Sequence, residues 1–230
     1  MTEKKILFWG GGDKARLILE YFSMDFLPQN MLVFDTSSKL NVLSGIRVTN
    51  LTGVMRSFIE RADFFCVCVG LAGQRRLELD LVLQGFGLKA INFVHPSAII
   101  ETPLPEFCGI QVMPGVVVRP NVSIGRQVIL NTGCIVEHDV FLGHGTHIMA
   151  GAVISGRAVI ENLCNVGTNA TVLPRRMVHK NSYVGAGAVV TKDVRESTIV
   201  VGSPATFLKS RPDEMFVDNG LTLLRDILDS

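Results

Sequence analysis

Aliphatic residues recur at every sixth position through the second half of the chain, a spacing that fits neither a helix nor a flat strand. The rule holds without a break over fourteen positions. It predicts a solenoid in which each six-residue unit is a short strand and a corner, and three units close a coil of eighteen residues. A β-sandwich is the alternative, but its strands vary in length. The inward positions are Val112, Val118, Ile124, Leu130, Val136, Leu142, Ile148, Ile154, Ile160, Val166, Val172, Val178, Val184 and Val190.

Small residues surround the corners that this repeat requires. The residue two positions before each inward residue is small or aliphatic nearly throughout, as a tight corner demands. Four glycines directly follow an inward residue, where a sharp corner favours a positive φ. We therefore expect positive φ at Gly125, Gly143, Gly167 and Gly185.

The N-terminal part of the chain follows a different pattern, in which short apolar strands alternate with helices. This order predicts a parallel sheet with helices on both faces. In the last helix, Leu77, Leu81 and Val82 are expected on the buried side. Strands are predicted over 5–9, 31–34, 63–69 and 89–94, and helices over 16–22, 57–61 and 74–84.

These patterns divide the chain into three segments. Residues 1–94 are predicted to form an α/β, half-Rossmann-like domain, residues 95–208 the solenoid, and residues 209–230 a C-terminal extension. The stretch His95–Ala98 is the predicted hinge between the two domains. Within the extension, residues 221–228 predict a short amphipathic helix that caps the solenoid or a neighbouring subunit.

A glycine loop follows the first strand and opens the first helix. Gly10, Gly12 and Ala15 fit the pattern G-x-G-x-x-A, and Asp35 lies about twenty residues further on. Such glycines let backbone N–H groups approach a phosphate, and Asp35 can accept hydrogen bonds from a sugar hydroxyl. One half of a doubly wound fold favours a mononucleotide or a nucleotide sugar over a dinucleotide, and a glycine turn without a ligand is the alternative. Lys14 at the mouth of the loop either pairs with a phosphate or is a solvated lysine.

A histidine projects from the solenoid within the segment Glu137-His138-Asp139. His138 lies two residues past the inward Val136, and Gly156 lies one coil further on. An imidazole beside an open backbone N–H suits acyl transfer, because the ring takes a proton from the nucleophile and the N–H stabilises the oxyanion. Asp139 or Glu137 then orients the ring. A bystander histidine is the alternative.

The histidines and cysteines of the solenoid suggest two other kinds of site, a zinc site and a cysteine nucleophile. His138 and His144 are one six-residue unit apart, so they lie on adjacent faces and diverge, whereas a zinc site needs converging ligands. Cys134 and Cys164 occupy buried corner positions, which makes them poor nucleophiles. Direct transfer without an acyl-enzyme, and without a metal, is therefore favoured.

Composition and charge narrow the partners and the cellular compartment that we expect for this protein. Hydrophobic residues make up 47% of the chain and the net charge is +1, with no basic cluster carrying interleaved aromatics, so we expect neither nucleic acid nor a membrane as partner. Neither a leader peptide nor a membrane-spanning run is recognised. Cys66 and Cys68 alternate with valines in a predicted strand and are interpreted as buried thiols of a cytoplasmic protein.

Basic residues gather in the later coils. Arg175 and Arg176 follow Pro174 at a predicted corner, and Lys180 and Lys192 lie further on. Such a strip can hold the phosphates of coenzyme A. A solvated corner is the alternative.

Three segments resemble the bacterial nucleotide-sugar acyltransferases, a family that includes the bacillosamine-pathway and perosamine N-acetyltransferases and the sialic acid O-acetyltransferases. They are the glycine loop at 10–14, the stretch 129–147 around Glu137-His138-Asp139, and the closing motif Val201-Gly202-Ser203-Pro204-Ala205. The resemblance runs from about residue 4 to residue 208. It implies a left-handed parallel β-helix, a homotrimer, acetyl-CoA between neighbouring solenoids, and a nucleotide-linked sugar held by the N-terminal domain.

The resemblance also implies roles for individual residues. His138 is the implied general base with Asp139 as its acidic partner, and Gly156 supplies the oxyanion amide. His147 contacts ligand, and Asn131 lines the site by analogy. The expected nucleotide-sugar residues are Gly10, Gly12, Asp13, Lys14, Asp35, Gly70, Asn131 and His147, and the expected coenzyme A residues are Gly156, Asn165, Arg175, Arg176 and Lys192.

The resulting hypothesis is an acetyl-CoA-dependent N-acetyltransferase. Its expected substrate is a dTDP- or UDP-linked 4-amino-4,6-dideoxyhexose used for surface polysaccharide. Acetylation of a sugar hydroxyl is the alternative within the class. A zinc-dependent hydratase, a dinucleotide-dependent enzyme and a non-catalytic scaffold are alternatives from other classes.

Overall fold

The computed structural model describes residues 3–70 and 73–212, which fall into two compact units. The first unit comprises residues 3–70 and 78–91, and the second comprises residues 73–77 and 92–212. The helix predicted over residues 221–228 lies outside the described residues.

The first unit is a parallel sheet with helices between its strands, as the sequence predicts. The strand order is β3-β4-β2-β1-β5-β6, and all neighbours are parallel except β3, which is antiparallel to β4. Strands β1 and β2 are buried along their whole length, which is typical of a parallel sheet covered on both faces. The elements are β1 (Ile6–Trp9), α1 (Asp13–Phe22), a 3₁₀ turn (Pro28–Asn30), β2 (Met31–Phe34), β3 (Val42–Leu43), β4 (Ile46–Thr49), α2 (Thr52–Ile59), β5 (Phe64–Val67), α3 (Gly73–Gly85) and β6 (Lys89–Ala90).

Helix α3 buries a different set of leucines from the one that the sequence predicts. Leu79 and Leu83, one turn apart, pack into the apolar core of the first unit, whereas Leu81 is 73% exposed. The prediction was therefore wrong for Leu81, whereas Val82 is partly buried against the same core, as predicted. Leucines in this helix alternate at every second position, so the sequence defines no single apolar stripe.

The strand predicted over residues 89–94 is two strands. Lys89–Ala90 pairs with β5 in the first unit, whereas Phe93–Val94 pairs with Gln111–Val112 in the second. The chain between them leaves one sheet and enters another, and an apolar run gives no sign of such a break.

The second unit is a parallel β-helix, which confirms the predicted solenoid. Each strand pairs with the strand one coil away, for example Val117 with Ile135 and Val118 with Val136, and the inward residues form one continuous core. After β6 the strands are β7 (Phe93–Val94), β8 (Ile99–Ile100), β9 (Gln111–Val112), β10 (Val117–Val118), β11 (Ser123–Ile124), β12 (Ile129–Leu130), β13 (Ile135–Val136), β14 (Phe141–Leu142), β15 (His147–Ile148), β16 (Val153–Ile154), β17 (Val159–Ile160), β18 (Asn165–Val166), β19 (Thr171–Val172), β20 (Met177–Val178), β21 (Tyr183–Val184), β22 (Val189–Val190), β23 (Thr198–Val201) and β24 (Thr206–Ser210).

The corners turn through left-handed residues that lie three positions after each inward residue from Val112 to Val184. Every sixth residue from Gly109 to Gly187 has a positive φ, and half or more of these residues are not glycine. The glycines that directly follow inward residues serve close packing instead: a β-carbon on Gly143 would lie 2.5 Å from the backbone nitrogen of Asn162 in the next coil. The prediction of positive φ was therefore wrong for Gly125, Gly143, Gly167 and Gly185.

One sheet of the β-helix presents aliphatic side chains outward. Its strands run in the order β22-β19-β16-β13-β10-β8, and the second residue of each strand from β10 onward is fully buried. Alternation along a strand turns the first residue to the opposite face. These outward residues are Ile99, Val117, Ile135, Val153, Thr171 and Val189, all partly or well exposed in this chain.

Candidate active site

The imidazole of His138 lies at a corner of the β-helix, directly after β13. Val136 points into the core, so His138, two residues later, projects outward with a side chain that is 54% exposed. Asp139 follows with a φ of 58°, and this left-handed turn brings its carboxylate back to the ring. His138 Nδ1 lies 2.9 Å from Asp139 Oδ2. Asp139, rather than Glu137, is the residue that contacts the imidazole.

This contact defines the tautomer of His138. An ionised carboxylate only accepts hydrogen bonds, so Nδ1 carries the proton and donates it to Asp139. In the neutral ring, Nε2 then holds the free lone pair. The atom able to take a proton is therefore the one turned away from Asp139.

The neighbours of Asp139 favour its ionised form. The hydrogen bond with His138 is the main cause that lowers the pKa of Asp139 below its ordinary value. Hydrogen bonds from Asn121 and Arg157 lower the pKa further, and desolvation opposes them. A carboxylate that remains charged at neutral pH can stabilise an imidazolium formed beside it.

Gly156 lies beside Nε2, as the eighteen-residue repeat predicts. A β-carbon built on Gly156 would lie 2.7 Å from His138 Nε2, so the backbone of one coil faces the ring of the previous one. Side-chain oxygens accept the N–H at the equivalent corner positions Thr132, His144 and Lys180. For the Gly156 N–H, no acceptor lies among the residues that the structure describes. A peptide N–H is therefore available next to the basic nitrogen, which is the arrangement that stabilises an oxyanion.

In the first unit, the glycine loop is hydrogen-bonded to the side chain of Asp35. Gly10 donates its N–H to Phe34 at 2.8 Å, and Gly11 donates its N–H to Asp35 Oδ2 at 2.6 Å. Asp35 Oδ1 accepts from the hydroxyl and N–H of Ser37 and from the N–H of the next residue. Asp35 thus shapes the loop at the carboxyl end of β1 and β2.

The electrostatics of Asp35 follow from these bonds. Partial burial acts to raise the pKa of Asp35, but the hydrogen bonds from Gly11, Ser37 and Ser38 outweigh it and hold the pKa below its ordinary value. Asp35 is therefore a carboxylate under ordinary conditions, with both oxygens already engaged in loop contacts.

The remaining loop residues differ in exposure. Gly12 is exposed, and the Asp13 side chain is 94% exposed and lies 3.4 Å from Arg16. Lys14 carries a buried Nζ, and its charge acts to lower the pKa of Cys66, which the hydrogen bond with Cys68 and burial together raise. Gly70 is half-buried at the C-terminal end of the segment after β5.

A second group of predicted residues in the β-helix lies along one sheet. Asn131 Nδ2 is 3.4 Å from His147 Nε2, and His147 is paired in register with Asn165 on the next strand. His147 and Asn165 are buried, at 5% and 2% exposure. With its amide oxygen turned toward Arg211, Asn165 accepts a hydrogen bond from Nη2 at 2.9 Å.

The residues of the predicted basic strip differ in whether their charge is in an ion pair. Arg176 lies 3.4 Å from Asp193 Oδ1, so its charge is already compensated. Arg175 is exposed at a left-handed corner. Lys192 lines a cavity of about 470 Å³, together with Arg195 and the apolar residues Val194, Val200, Ala205 and Phe207.

The buried thiols are protonated. Burial raises the pKa of Cys134 and of Cys164 to about 12 in each case, which confirms that neither is placed as a nucleophile.

Within residues 3–70 and 73–212, no group of three or more His, Cys, Asp or Glu side chains is arranged to hold a metal ion. None of the helices that the structure describes has the length and hydropathy needed to span a bilayer.

Two residues that contact Asp139 were missed by the sequence analysis. Asn121 and Arg157 lie one coil before and one coil after Asp139, and both reach its carboxylate. The eighteen-residue step that led from His138 to Gly156 leads to them as well when it is applied to Asp139 in both directions.

Comparison with known proteins gives solved structures of the same architecture. PerB from Caulobacter crescentus, solved with CoA and GDP-perosamine, has a TM-score of 0.79 and 25% sequence identity, covering 90% of this chain and 99% of its own. The acetyltransferase domain of PglB from Neisseria gonorrhoeae, solved with acetyl coenzyme A, has a TM-score of 0.80 and 25% identity, covering 90% of this chain and 100% of its own. No family model matches the chain.

A curated relative matches over a shorter stretch. The 2,3,4,5-tetrahydropyridine-2,6-dicarboxylate N-acetyltransferase of Staphylococcus aureus is 39% identical over 75 residues, which are 29% of this chain. The match spans 31% of the relative's length, so the chain spans about a third of the curated relatives it matches.

Over nine-tenths of its length, the chain is similar to acetyltransferases of the PerB and PglB type. Its β-helix of six-residue units carries a histidine and a carboxylate at one corner.

Proposed function

We propose that the protein transfers an acetyl group from acetyl-CoA to the amine of a nucleotide-linked amino sugar. The amine nitrogen attacks the thioester carbonyl directly, His138 Nε2 takes the amine proton, and the Gly156 N–H binds the oxyanion. The C–N bond forms, the C–S bond breaks, and the thiolate of coenzyme A leaves. The proton held by His138 is available to that thiolate, so the step needs no metal and no acyl-enzyme.

One observation carries this proposal. His138 donates from Nδ1 to Asp139, and Nε2 faces a glycine whose N–H has no acceptor in the described chain. The backbone of Gly156 therefore lies beside the proton acceptor, which supports its N–H as the oxyanion donor. Both are needed in the same step of acyl transfer to an amine, and a bystander histidine has no need of either.

The choice of substrates rests on the similar structures. One was solved with CoA and GDP-perosamine and another with acetyl coenzyme A. We propose that the glycine loop after β1 binds the nucleotide, and that the sugar is a 4-amino-4,6-dideoxyhexose linked to dTDP, UDP or GDP and destined for surface polysaccharide. Arg175 and Lys192 are proposed to bind phosphates of coenzyme A, because both side chains are exposed and neither is in an ion pair with a described residue, unlike Arg176.

The proposed assembly is a homotrimer of β-helices, with acetyl-CoA between neighbouring protomers. The outward aliphatic stripe formed by Ile99, Val117, Ile135, Val153 and Val189 supports this proposal, because a flat apolar sheet face favours burial against another copy.

The test is a transfer assay on the purified chain. Acetyl-CoA is incubated with UDP-, dTDP- and GDP-linked 4-amino-4,6-dideoxyhexoses, while release of free thiol and product mass are followed. We expect one nucleotide sugar to give thiol release and a mass gain of one acetyl group. Failure of all three to accelerate thiol release over acetyl-CoA alone would overturn the proposal.

The same assay distinguishes the amine from a hydroxyl as acceptor. Mild base cleaves an acetyl ester but leaves an acetamide intact. We expect the product mass to survive this treatment. Loss of the acetyl group would assign the chain to O-acetylation instead.

A further inference from the structure

Three left-handed corners are stacked around the Asp139 carboxylate. Asn121, Asp139 and Arg157 are one coil apart and have φ values of 62°, 58° and 62°. Equivalent backbone conformations direct their side chains from the same corner of successive coils. The side chains of Asn121 and Arg157 therefore approach Asp139 from the coil before and the coil after it.

These contacts engage both oxygens of the carboxylate. Asn121 Nδ2 lies 3.3 Å from Oδ1 of Asp139, and Arg157 Nε lies 3.5 Å from Oδ2. The same Oδ2 accepts the hydrogen bond from His138 Nδ1 at 2.9 Å. Rotation of the carboxylate away from the imidazole would break the contacts on both oxygens, so the pair of neighbours restrains its orientation.

We propose that Asn121 and Arg157 are positioning residues that hold Asp139 in the orientation that makes His138 Nε2 the basic atom. Neither residue contacts the imidazole itself; both act through Asp139. Asn121 contributes a neutral donor whose hydrogen bond restrains the carboxylate. Arg157 adds a positive charge that favours the ionised carboxylate. This inference rests on the proposed acetyl transfer, in which His138 is the base.

The test uses substitutions that leave the corners unstrained. Glycine adopts positive φ freely, so Asn121→Gly removes the amide and keeps the turn. We expect kcat to fall about tenfold with KM for both substrates unchanged, a size typical of coupled neighbours. Asn169→Gly, the same exchange at a left-handed corner with φ of 55° outside this stack, is the matched control and should retain kcat.

A double-mutant cycle separates positioning from a structural role. Once Asp139→Gly has removed the carboxylate, Asn121→Gly should have no further effect on kcat. Arg157→Gly should behave in the same way, and Arg157→Lys should recover part of the loss because it restores the charge. An undiminished effect of Asn121→Gly in the Asp139→Gly background would overturn the proposal, as would a wild-type kcat in the single variants.

A second readout does not depend on turnover. The ¹⁵N chemical shifts of the His138 ring report how fully the proton resides on Nδ1, and we expect Asn121→Gly and Arg157→Gly to reduce that fraction. Unchanged ring shifts in both variants would contradict the positioning role even if the chain proved inactive on every sugar. Absent thiol release with altered ring shifts would instead contradict the proposed reaction alone.

Discussion

The Cα of Gly156 faces the imidazole of His138 so closely that a β-carbon there would lie 2.7 Å from Nε2 and 2.9 Å from Cε1. The two residues belong to successive coils, and the repeat of the solenoid brings them together. The space beside the basic nitrogen therefore accepts no side chain from Gly156.

Gly156→Ala is expected to displace the ring and abolish most of the activity. The imidazole is 54% exposed and can swing outward, so the fold should tolerate the substitution while the base leaves its position. We expect kcat to fall by about 10²-fold or more, the size of the loss when a general base no longer acts. Gly53→Ala on α2, where a β-carbon meets nothing within 4 Å, is the control and should retain full activity. Retention of wild-type kcat by Gly156→Ala would contradict the site.

Substitution of His138 itself tests the base directly. His138→Ala and His138→Asn are each expected to lower kcat by about 10²–10⁴-fold because His138 Nε2 is the proton acceptor of the proposed reaction. Since the side chain is half exposed, the free energy of unfolding should change by no more than about 0.5 kcal/mol. Steady-state kinetics with a parallel thermal melt checks both statements, and a near-wild-type rate in either variant would disprove the assignment.

The repeat made the β-helix and part of its site predictable from the sequence. Strict six-residue spacing leaves little freedom in the register, so the position of Gly156 beside His138 followed from the number of residues in one coil. The same eighteen-residue step relates Asp139 to Asn121 and Arg157. The six-residue pattern fixes which residues stack at a corner, but it does not indicate which exposed side chains reach across to the next coil.

Three other features depend on tertiary packing, which a local sequence pattern does not indicate. Backbone atoms of the next coil approach Gly143, so the glycine there reflects a contact made eighteen or nineteen residues later in the chain. In α3, leucines at alternate positions fit more than one buried side, and the core of the first unit selects Leu79 and Leu83. The side chain of Lys14 turns inward, where its Nζ is buried, and the glycine pattern gives no indication of that orientation.

Asp35→Asn is expected to destabilise the protein in a pH-dependent way. The pKa of Asp35 is held below its ordinary value in the folded state, so the carboxylate favours folding at pH values above the unfolded pKa of about 3.9. That contribution is lost as the pH falls through the folded pKa. Denaturant unfolding should therefore show a less stable variant at pH 7, with the difference from wild type shrinking as the pH falls below about 4. A difference that stays constant between about pH 4 and pH 2 would contradict the role of the loop contacts.

Two glycine substitutions separate close packing from backbone conformation. A β-carbon on Gly143 meets the backbone of the next coil at 2.5 Å, whereas one on Gly133 meets nothing within 4 Å but sits at a φ of 66°. Gly133→Ala should cost about 1–2 kcal/mol of left-handed strain. Gly143→Ala should cost about 3 kcal/mol because backbone cannot move aside as a flexible side chain does. Thermal melts rank the two, and the reverse order would show that the contact is not the reason for glycine at Gly143.

The outward aliphatic stripe predicts how the oligomer can be broken. Val153 projects from β16 in the middle of that stripe, and a glutamate there would place a charge in an apolar interface without a partner. Wild-type protein is expected to sediment at about three times the 25.1 kDa chain mass, and Val153→Glu as a single chain with little transferase activity. Val159→Glu is the matched control, since Val159 is the equivalent outward valine of β17 on a different sheet. A monomeric wild type, or identical masses for the two variants, would contradict assembly through this face.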